Sequence, residues 1–106
     1  MTITDIHLAN LTITSADKAL SGSGITPQRA VVLQFISDQK TCAMGDIAYH
    51  LDVTPAVVTG LVERLVTRGL VERKGSKEDR RVVFVKVTSA GAEMLRDVDG
   101  LLKGAN

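Results

Sequence analysis

Residues 54–91 read TPAVVTGLVERLVTRGLVERKGSKEDRRVVFVKVTSAG, and this stretch decides the fold. Its opening Thr-Pro predicts a helix, because a threonine hydroxyl caps a free backbone N–H and proline suits the first helical position. The helix is expected to stop at Gly69, since glycine readily takes the left-handed conformation found after helix ends. Residues 70–74 and 82–87 then read as two strands, and the loop between them, residues 75–81, is rich in charge. The predicted order is helix, strand, charged loop, strand.

A second short helix comes directly before this stretch. Residues 44–51 carry Ile47, Ala48 and Leu51 at helical spacing, and residues 52–53 form a turn into Thr54. Two short helices joined by a turn, the second beginning with a cap, are typical of a helix-turn-helix. Together with the strand pair, they predict a winged helix-turn-helix in which the charged loop projects as a flexible wing. That arrangement is used mainly to hold duplex DNA.

Flanking segments complete the predicted order of elements. Thr26-Pro27 repeats the helix-opening signal and predicts a helix to about Gln39, followed by a short extended piece at residues 41–43. Thr88 is expected to cap a last helix from about Ser89 to Lys103. Residues 1–20 fit two interpretations. Their apolar residues have helical spacing, but the segment is also rich in Thr and Ile, which suits a strand. We adopt the helical interpretation, with the Ser-Gly-Ser-Gly linker of residues 21–24 ending that element.

The chain is therefore predicted to be α+β and mostly helical. We expect three regions: residues 1–24 as an N-terminal dimerisation element and linker, residues 25–88 as the winged helix-turn-helix DNA-binding domain, and residues 89–106 as a C-terminal dimerisation helix. A homodimer is predicted because one small domain cannot cover both of its terminal apolar faces. Those faces consist of Ile6, Ala9, Ile13, Ala16 and Leu20 at one end and of Met94, Leu95, Val98, Leu101 and Leu102 at the other.

Composition limits the class of protein. The apolar runs are too short to cross a membrane, no secretory signal opens the chain, and a single cysteine fits a reducing compartment. We therefore expect a cytoplasmic protein with no membrane partner. The formal net charge is only +1, but residues 64–86 carry eight basic and three acidic side chains, a local charge of +5, against −4 for the remainder. Because phosphate attraction is screened within about 8–10 Å, the local value matters more.

The outward side of the helix that begins at Thr54 is the first candidate DNA-binding surface. A helix in the major groove reads base edges with its first two turns. Apart from Arg64 and its neighbour Glu63, the residues there are small and uncharged, which favours close approach and contact with thymine methyl groups but only modest base discrimination. The simpler alternative is the solvent-exposed side of an ordinary core helix. The candidate residues are Thr54, Pro55, Ala56, Val57, Thr59, Gly60 and Arg64.

The charged loop is the second candidate surface. Lys77, Arg80 and Arg81 share its tip, where long cationic side chains can enter a narrow minor groove. Asp79 is expected to orient Arg81 through a charge-assisted hydrogen bond. Arg68, like Arg64, is expected to reach the sugar-phosphate backbone or to pair with Asp79 or Glu72. On charge alone, an ordinary solvated hairpin would explain the loop equally well.

From about residue 25 to residue 95 the chain closely resembles the MarR family of transcriptional regulators. The resemblance implies a homodimer, usually a repressor, that binds pseudo-palindromic operators, with residues 54–60 in the major groove, Arg81 in the minor groove and Asp79 steadying it. Gly60 stands where the family often has a longer polar or basic residue, and both ends are short for the family. The matching stretches are Thr26-Pro27-Gln28, Asp46-Ile47-Ala48, residues 54–59, residues 68–73, and residues 79–81 with Val87-Thr88 and Gly91.

Other functions find less support in the sequence. No nucleophile has a base partner, His7 and His50 lack ligand spacing, and Cys42 is expected to be a small buried hydrophobe. We therefore expect no enzyme activity, no metal and no cofactor, and the sequence leaves a small-molecule effector open without indicating one. The competing hypothesis is a winged-helix protein–protein interaction module without DNA binding, because fold alone does not fix function.

Overall fold

The computed structural model describes residue 3 and residues 18–103, and it has the predicted order of elements. Residues 18–19 are also helical and lead into the linker. The α+β, mostly helical winged helix-turn-helix is therefore confirmed. The elements are α1 (Pro27–Gln39), β1 (Thr41–Ala43), α2 (Met44–Leu51), α3 (Pro55–Thr67), β2 (Val71–Gly75), β3 (Val83–Val87) and α4 (Ser89–Lys103).

Threonine caps begin α1 and α3 as predicted. The Oγ1 atoms of Thr26 and Thr54 each accept a hydrogen bond, at 3.3 Å, from the backbone N–H three residues further on. At the other end of α3, Gly69 adopts φ +73, and its N–H donates to the carbonyl of Val66. Each cap satisfies backbone groups that a helix end would leave unpaired, which explains why the sequence located these ends well.

The sheet contains one strand more than a hairpin. Its order is β1-β3-β2, all antiparallel, with Cys42 opposite Val85 on one side and Arg73 opposite Val85 on the other. Both wing strands begin one residue later than predicted. The N–H of Leu70 bonds back to Leu65 in α3, and the N–H of Val82 bonds to Asp79 in the loop, so both groups are used outside the ladder.

An aliphatic core holds these elements together, as the scarcity of aromatic residues predicts. Phe35 is only half-buried, with its ring 5.6 Å from that of His50, whereas Val32 is fully buried. All four consecutive apolar residues of α1, at positions 30–33, are buried, so this part of the helix is covered on every side. The fully buried side chains with the largest volumes are Leu33, Ile36, Ile47, Leu65, Leu102, Val32, Val58, Val62, Val85 and Val98.

The apolar side of α4 is mostly covered by its own chain, which corrects the expectation that it awaits a partner. Leu95, Val98 and Leu102 are buried in the core, and α4 packs against α1. Only Met94, half-buried, and Leu101, 42% exposed, remain on the outer side. The surface that α4 offers a second copy is therefore smaller than its sequence suggests.

Several N-terminal expectations lie outside the described residues. These are the apolar positions Ile6, Ala9, Ile13 and Ala16, together with His7. Leu20, the last position of that face, is buried at 3% exposure. The division into three regions stays a prediction. Within residues 18–103, none of the helices has the length and apolar character needed to cross a membrane.

Gly91 allows α4 to pack directly on the turn after α3. A Cβ atom at this position would stand 2.6 Å from Cγ2 of Val87 and closer still to the carbonyl oxygen of Leu70. Backbone cannot move aside as a flexible side chain can, so residue 91 has to be glycine for this contact to form. Gly100, in the same helix, has open space around it.

Gly91→Ala should lower the free energy of unfolding by about 1–3 kcal/mol, because overpacking displaces α4. Gly100→Ala is the matched control and should leave stability unchanged or raise it by up to about 1 kcal/mol through helix propensity. Urea denaturation followed by circular dichroism measures both. Equal effects of the two substitutions would contradict the close approach at Gly91.

Candidate nucleic-acid interface

The outer side of α3 is a smooth, uncharged surface for its first two turns. Val58, Val62 and Leu65 face the core, which leaves the opposite side of the helix to solvent. Every candidate residue on that side is exposed: Thr54, Pro55, Ala56, Val57, Thr59, Gly60 and Arg64.

Local hydrogen bonds engage both threonine hydroxyls of this surface, that of Thr54 as an acceptor and that of Thr59 as a donor. The Thr54 hydroxyl caps the helix, and the Thr59 hydroxyl donates to the carbonyl of Pro55 at 2.9 Å. A hydroxyl bonded back to its own helix keeps its methyl group and oxygen lone pairs for an outside partner. A Cβ at Gly60 would meet nothing within 4 Å, so the fold does not require glycine there. The surface favours contact through shape and methyl groups over bidentate hydrogen bonds.

The wing consists of β2, the loop of residues 76–82 and β3, and hydrogen bonds organise its tip. The N–H of Ser76 donates to the carbonyl of Val82 at 3.0 Å and closes the loop. The Ser76 hydroxyl accepts from the N–H groups of Glu78 and Asp79 at 3.2 and 3.1 Å. Ser76 thus fixes the backbone that presents the basic residues. Sequence reasoning missed this role, although a serine two and three residues before turn amides is the usual signal for it.

Asp79 grips Arg81 as predicted. The Arg81 Nε and Nη2 groups donate to the two carboxylate oxygens of Asp79, both at 3.1 Å, and the Arg81 backbone N–H donates at 3.0 Å. The side-chain hydrogen bond from Arg81 is the main reason that the pKa of Asp79 lies below its usual value. The Arg81 side chain remains 90% exposed, against 38% for Asp79. The guanidinium is therefore oriented by the carboxylate yet still available to an outside anion.

A cleft of about 480 Å³ joins α3 to the wing. We call it the helix–wing cleft. Thr59 lines it from α3, and Arg73 and Arg81 line it from the wing. The other lining residues come from the end of β1, the start of α2 and the wing: Ala43, Met44, Gly45, Val82 and Val83. The outer side of α3 and the cationic wing thus lie on a common surface, which is the geometry needed to contact one duplex.

The other predicted basic residues divide into two groups. Arg64, Lys77 and Arg80 are exposed, and within residues 18–103 no carboxylate lies within ion-pair distance of them. Arg68 behaves differently, because its Nη1 donates to the carbonyl of Gly24 in the linker. Pairing of Arg68 with Asp79 or Glu72 was therefore a wrong expectation. This guanidinium makes an intramolecular contact instead.

Cys42 is buried in β1, beside α2, as expected of a small hydrophobe. Burial, assisted by the negative charge of Asp46, raises the pKa of its thiol from 9.0 to about 11. Because the thiolate is the reactive form, a raised pKa makes the side chain inert near neutral pH.

Cys42 should therefore react with a thiol reagent at pH 8 at least about 100-fold more slowly in the folded protein than in the unfolded one, because two pKa units remove that share of thiolate. Folding favours the protonated thiol, so its unfavourable effect on stability appears only above the unfolded pKa of 9.0 and grows as pH rises toward about 11. Absorbance of released thionitrobenzoate measures the rate. Equal rates in buffer and in denaturant would contradict the burial of this thiol.

Comparison with known proteins points to one family. A model of the MarR family matches residues 23–82. The HTH-type transcriptional repressor MdtR of Bacillus subtilis (strain 168) is 28% identical over 74 residues, covering 70% of this chain and 48% of that protein. The HTH-type transcriptional regulator YpoP of the same organism is 31% identical over 80 residues, covering 76% of this chain and 53% of that protein. The chain thus spans about half the length of these regulators.

Solved structures show the same similarity in three dimensions. A crystal structure of a mutant MarR from E. coli complexed with operator DNA superposes with a TM-score of 0.80 and 27% sequence identity. The match covers 94% of this chain and 70% of that one.

Proposed function

The chain belongs to the MarR family, and we propose that it binds double-stranded DNA as a sequence-specific regulator of transcription. In this proposal α3 lies in the major groove and the wing tip in the adjoining minor groove. The main support for this proposal is the helix–wing cleft, because Thr59 of α3 and Arg81 of the wing line the same cleft.

The chemistry of α3 suits a major groove read at close range. Small side chains let the helix axis approach the base edges, and the exposed Ala56, Val57 and Thr59 methyl groups match thymine methyls. The helix N-terminus adds free N–H groups and a positive dipole end that attract phosphate. We propose Thr54, Pro55, Ala56, Val57, Thr59 and Gly60 as the contacting surface, with Arg64 a turn further along at the backbone.

The chemistry of the wing suits a minor groove. Arg81 is held by Asp79 before any partner arrives, so little side-chain freedom is lost on binding. Narrow minor grooves concentrate negative potential and accept arginine side chains. We propose Arg81 as the inserted residue, Lys77 and Arg80 as flanking phosphate contacts, and Asp79 as the residue that positions Arg81.

We propose that the protein is a homodimeric repressor that acts in the cytoplasm and has no enzymatic activity, and the names of its relatives support the repressor part of this proposal. MdtR is named a repressor, and the E. coli MarR structure contains operator DNA. We propose that the N-terminal region (1–24) and C-terminal region (89–106) build the dimer around the DNA-binding domain (25–88). The outer side of α4, at Met94 and Leu101, would form part of the contact.

Binding to a mixed-sequence duplex at two salt concentrations tests the proposed function. Fluorescence anisotropy between about 50 and 200 mM salt should show affinity falling steeply, because phosphate contacts release counterions. Arg81→Ala should weaken binding and reduce the slope of log K against log salt by about 0.9. Lys103→Ala, at the far end of α4, removes an equal charge and should leave the slope unchanged. No binding at low salt would favour the protein–protein module instead.

Substitutions of two neighbouring carboxylates on the wing, Asp79 and Glu78, distinguish the orientation of Arg81 from the effect of net charge on DNA binding. Asp79→Asn removes one negative charge and frees Arg81, whereas Glu78→Gln removes the same charge and leaves the Arg81 grip intact. We expect Asp79→Asn to weaken DNA binding severalfold and Glu78→Gln to strengthen it slightly. The same anisotropy titration measures both. Strengthening by both substitutions would mean that only charge matters and that Asp79 does not position Arg81.

The lowered pKa of Asp79 sets the pH range over which its grip on Arg81 acts. Because the pKa of Asp79 is lower in the folded protein than in the unfolded one, its pairing with Arg81 is complete above the unfolded pKa. The pairing is lost only as pH falls through the lower, folded pKa. The Asp79–Arg81 arrangement should therefore be complete throughout the neutral range. Its effect on DNA binding should not vary with pH there.

A further inference from the structure

The turn after α3, residues 68–70, contacts the segments that lead to both ends of the chain. On one side, Arg68 Nη1 donates to the carbonyl of Gly24 in the linker. On the other side, the hydroxyl and N–H of Thr88 donate to the carbonyls of Gly69 and Leu70 at 2.6 and 3.1 Å. We call residues 68–70 the α3 junction. It ties the end of α3 to the linker before α1 and to the start of α4.

The backbone conformation of the linker leaves room for the Arg68 guanidinium. Gly24 has φ +89, and a Cβ on it would lie 2.7 Å from the Arg68 guanidinium. Ser23 holds the same bend, because its hydroxyl donates to the carbonyl of Leu20 at 2.5 Å and accepts from the N–H of Ile25 at 3.2 Å. Gly22 also has a positive φ, +80, but its surroundings are open. Of these two glycines, only Gly24 lies against the Arg68 guanidinium, so a methyl group at position 24 would displace that side chain from its contact.

Arg68 is poorly placed to bind phosphate. It lies at the C-terminal end of α3, where the helix dipole is negative and favours a cation but not an anion. Nine residues separate it from Thr59 in the helix–wing cleft, which is about 13 Å along a helix axis. The one hydrogen bond of its side chain within the described residues goes to the linker. Its position therefore favours a contact inside the fold.

We propose that Arg68 is a positioning residue for DNA binding, and this inference rests on the proposed function. By holding the Gly24 carbonyl, Arg68 fixes the direction of α3 relative to the segments through which two copies would join. In a dimer, that direction sets the separation of the two α3 helices. Arg68 thus controls simultaneous contact with both half-sites and leaves the contact with one half-site unchanged.

Two DNA duplexes distinguish this role. The first is a palindromic duplex enriched from random sequences by the wild-type protein, and the second keeps one half-site and scrambles the other. Arg68→Ala should weaken binding to the palindrome about tenfold, the usual cost of losing a charge-assisted hydrogen bond, and change binding to the half-site by less than about twofold. Gly24→Ala should have the same effect, and the double substitution should be no worse than either alone.

Two matched controls separate positioning by Arg68 from backbone strain and from direct phosphate contact. Gly22→Ala has similar backbone strain without touching Arg68, so it should keep its affinity for the palindrome. Arg64→Ala, one turn earlier on α3, should weaken binding to both duplexes equally, as loss of a phosphate contact does. If Arg68→Ala behaved like Arg64→Ala, or left the palindrome affinity unchanged, the positioning role would be wrong.

Hydrogen exchange tests the contact itself independently of DNA. The amides of Ser23 and Ile25 should exchange faster in Arg68→Ala than in wild type, because the linker bend loses its support. Failure of the wild-type protein to enrich any duplex would overturn the proposed function and the spacing role with it. Unchanged exchange in a protein that does bind DNA would overturn only the linker contact.

Discussion

The antiparallel pairing of β3 with β2 and β1 is the constraint on which the rest of the molecule depends. β3 is the central strand, and its buried Val85 stands opposite Cys42 on one side and Arg73 on the other. β1 leads directly into α2, and β2 follows α3 after the turn of residues 68–70, so this one strand fixes the wing against both helices of the helix-turn-helix. Burial of each Val or Leu that seals the contact contributes about 1.5–3 kcal/mol. The separation of the wing tip from α3 therefore follows from the core.

Arg81 and Arg68 show how the same side chain serves two purposes in different surroundings. Arg81 stands on a solvent-facing loop, held by a carboxylate two residues away, and presents its charge outward. Arg68 stands at the end of α3 beside the linker, and its guanidinium donates to the backbone carbonyl of Gly24 there. Residues 64–86 carry a charge of +5, but local geometry decides which of those charges a duplex would meet.

Much of the fold could be predicted from local chemistry. Thr26 and Thr54 mark helix starts, and Gly69 marks a helix end, because each cap is a short-range interaction written in neighbouring residues. The pairing of Asp79 with Arg81 is equally local.

The burial of Val32 and of the apolar side of α4 could not be predicted, because an all-apolar run or a broad apolar stripe does not say which neighbour will bury it. Long-range contacts account for the remaining differences: Arg68 meets Gly24 across 44 positions of sequence, and the pairing of Cys42 with Val85 spans almost as many. The parts of the site that consist of caps, turns and exposed charges could be predicted from the sequence. The parts that depend on which distant segments the fold brings together could not.

The central claim is that α3 and the wing contact neighbouring grooves of one duplex, and directed DNA cleavage tests it. Ala56→Cys and Arg80→Cys each provide one exposed thiol for an iron chelate, since Cys42 is buried. Cleavage of the enriched palindromic duplex should show the major-groove pattern from position 56 and the minor-groove pattern from position 80, displaced by about half of a 10–10.5 bp helical turn. Cleavage from only one position, or the same pattern from both, would contradict the claim.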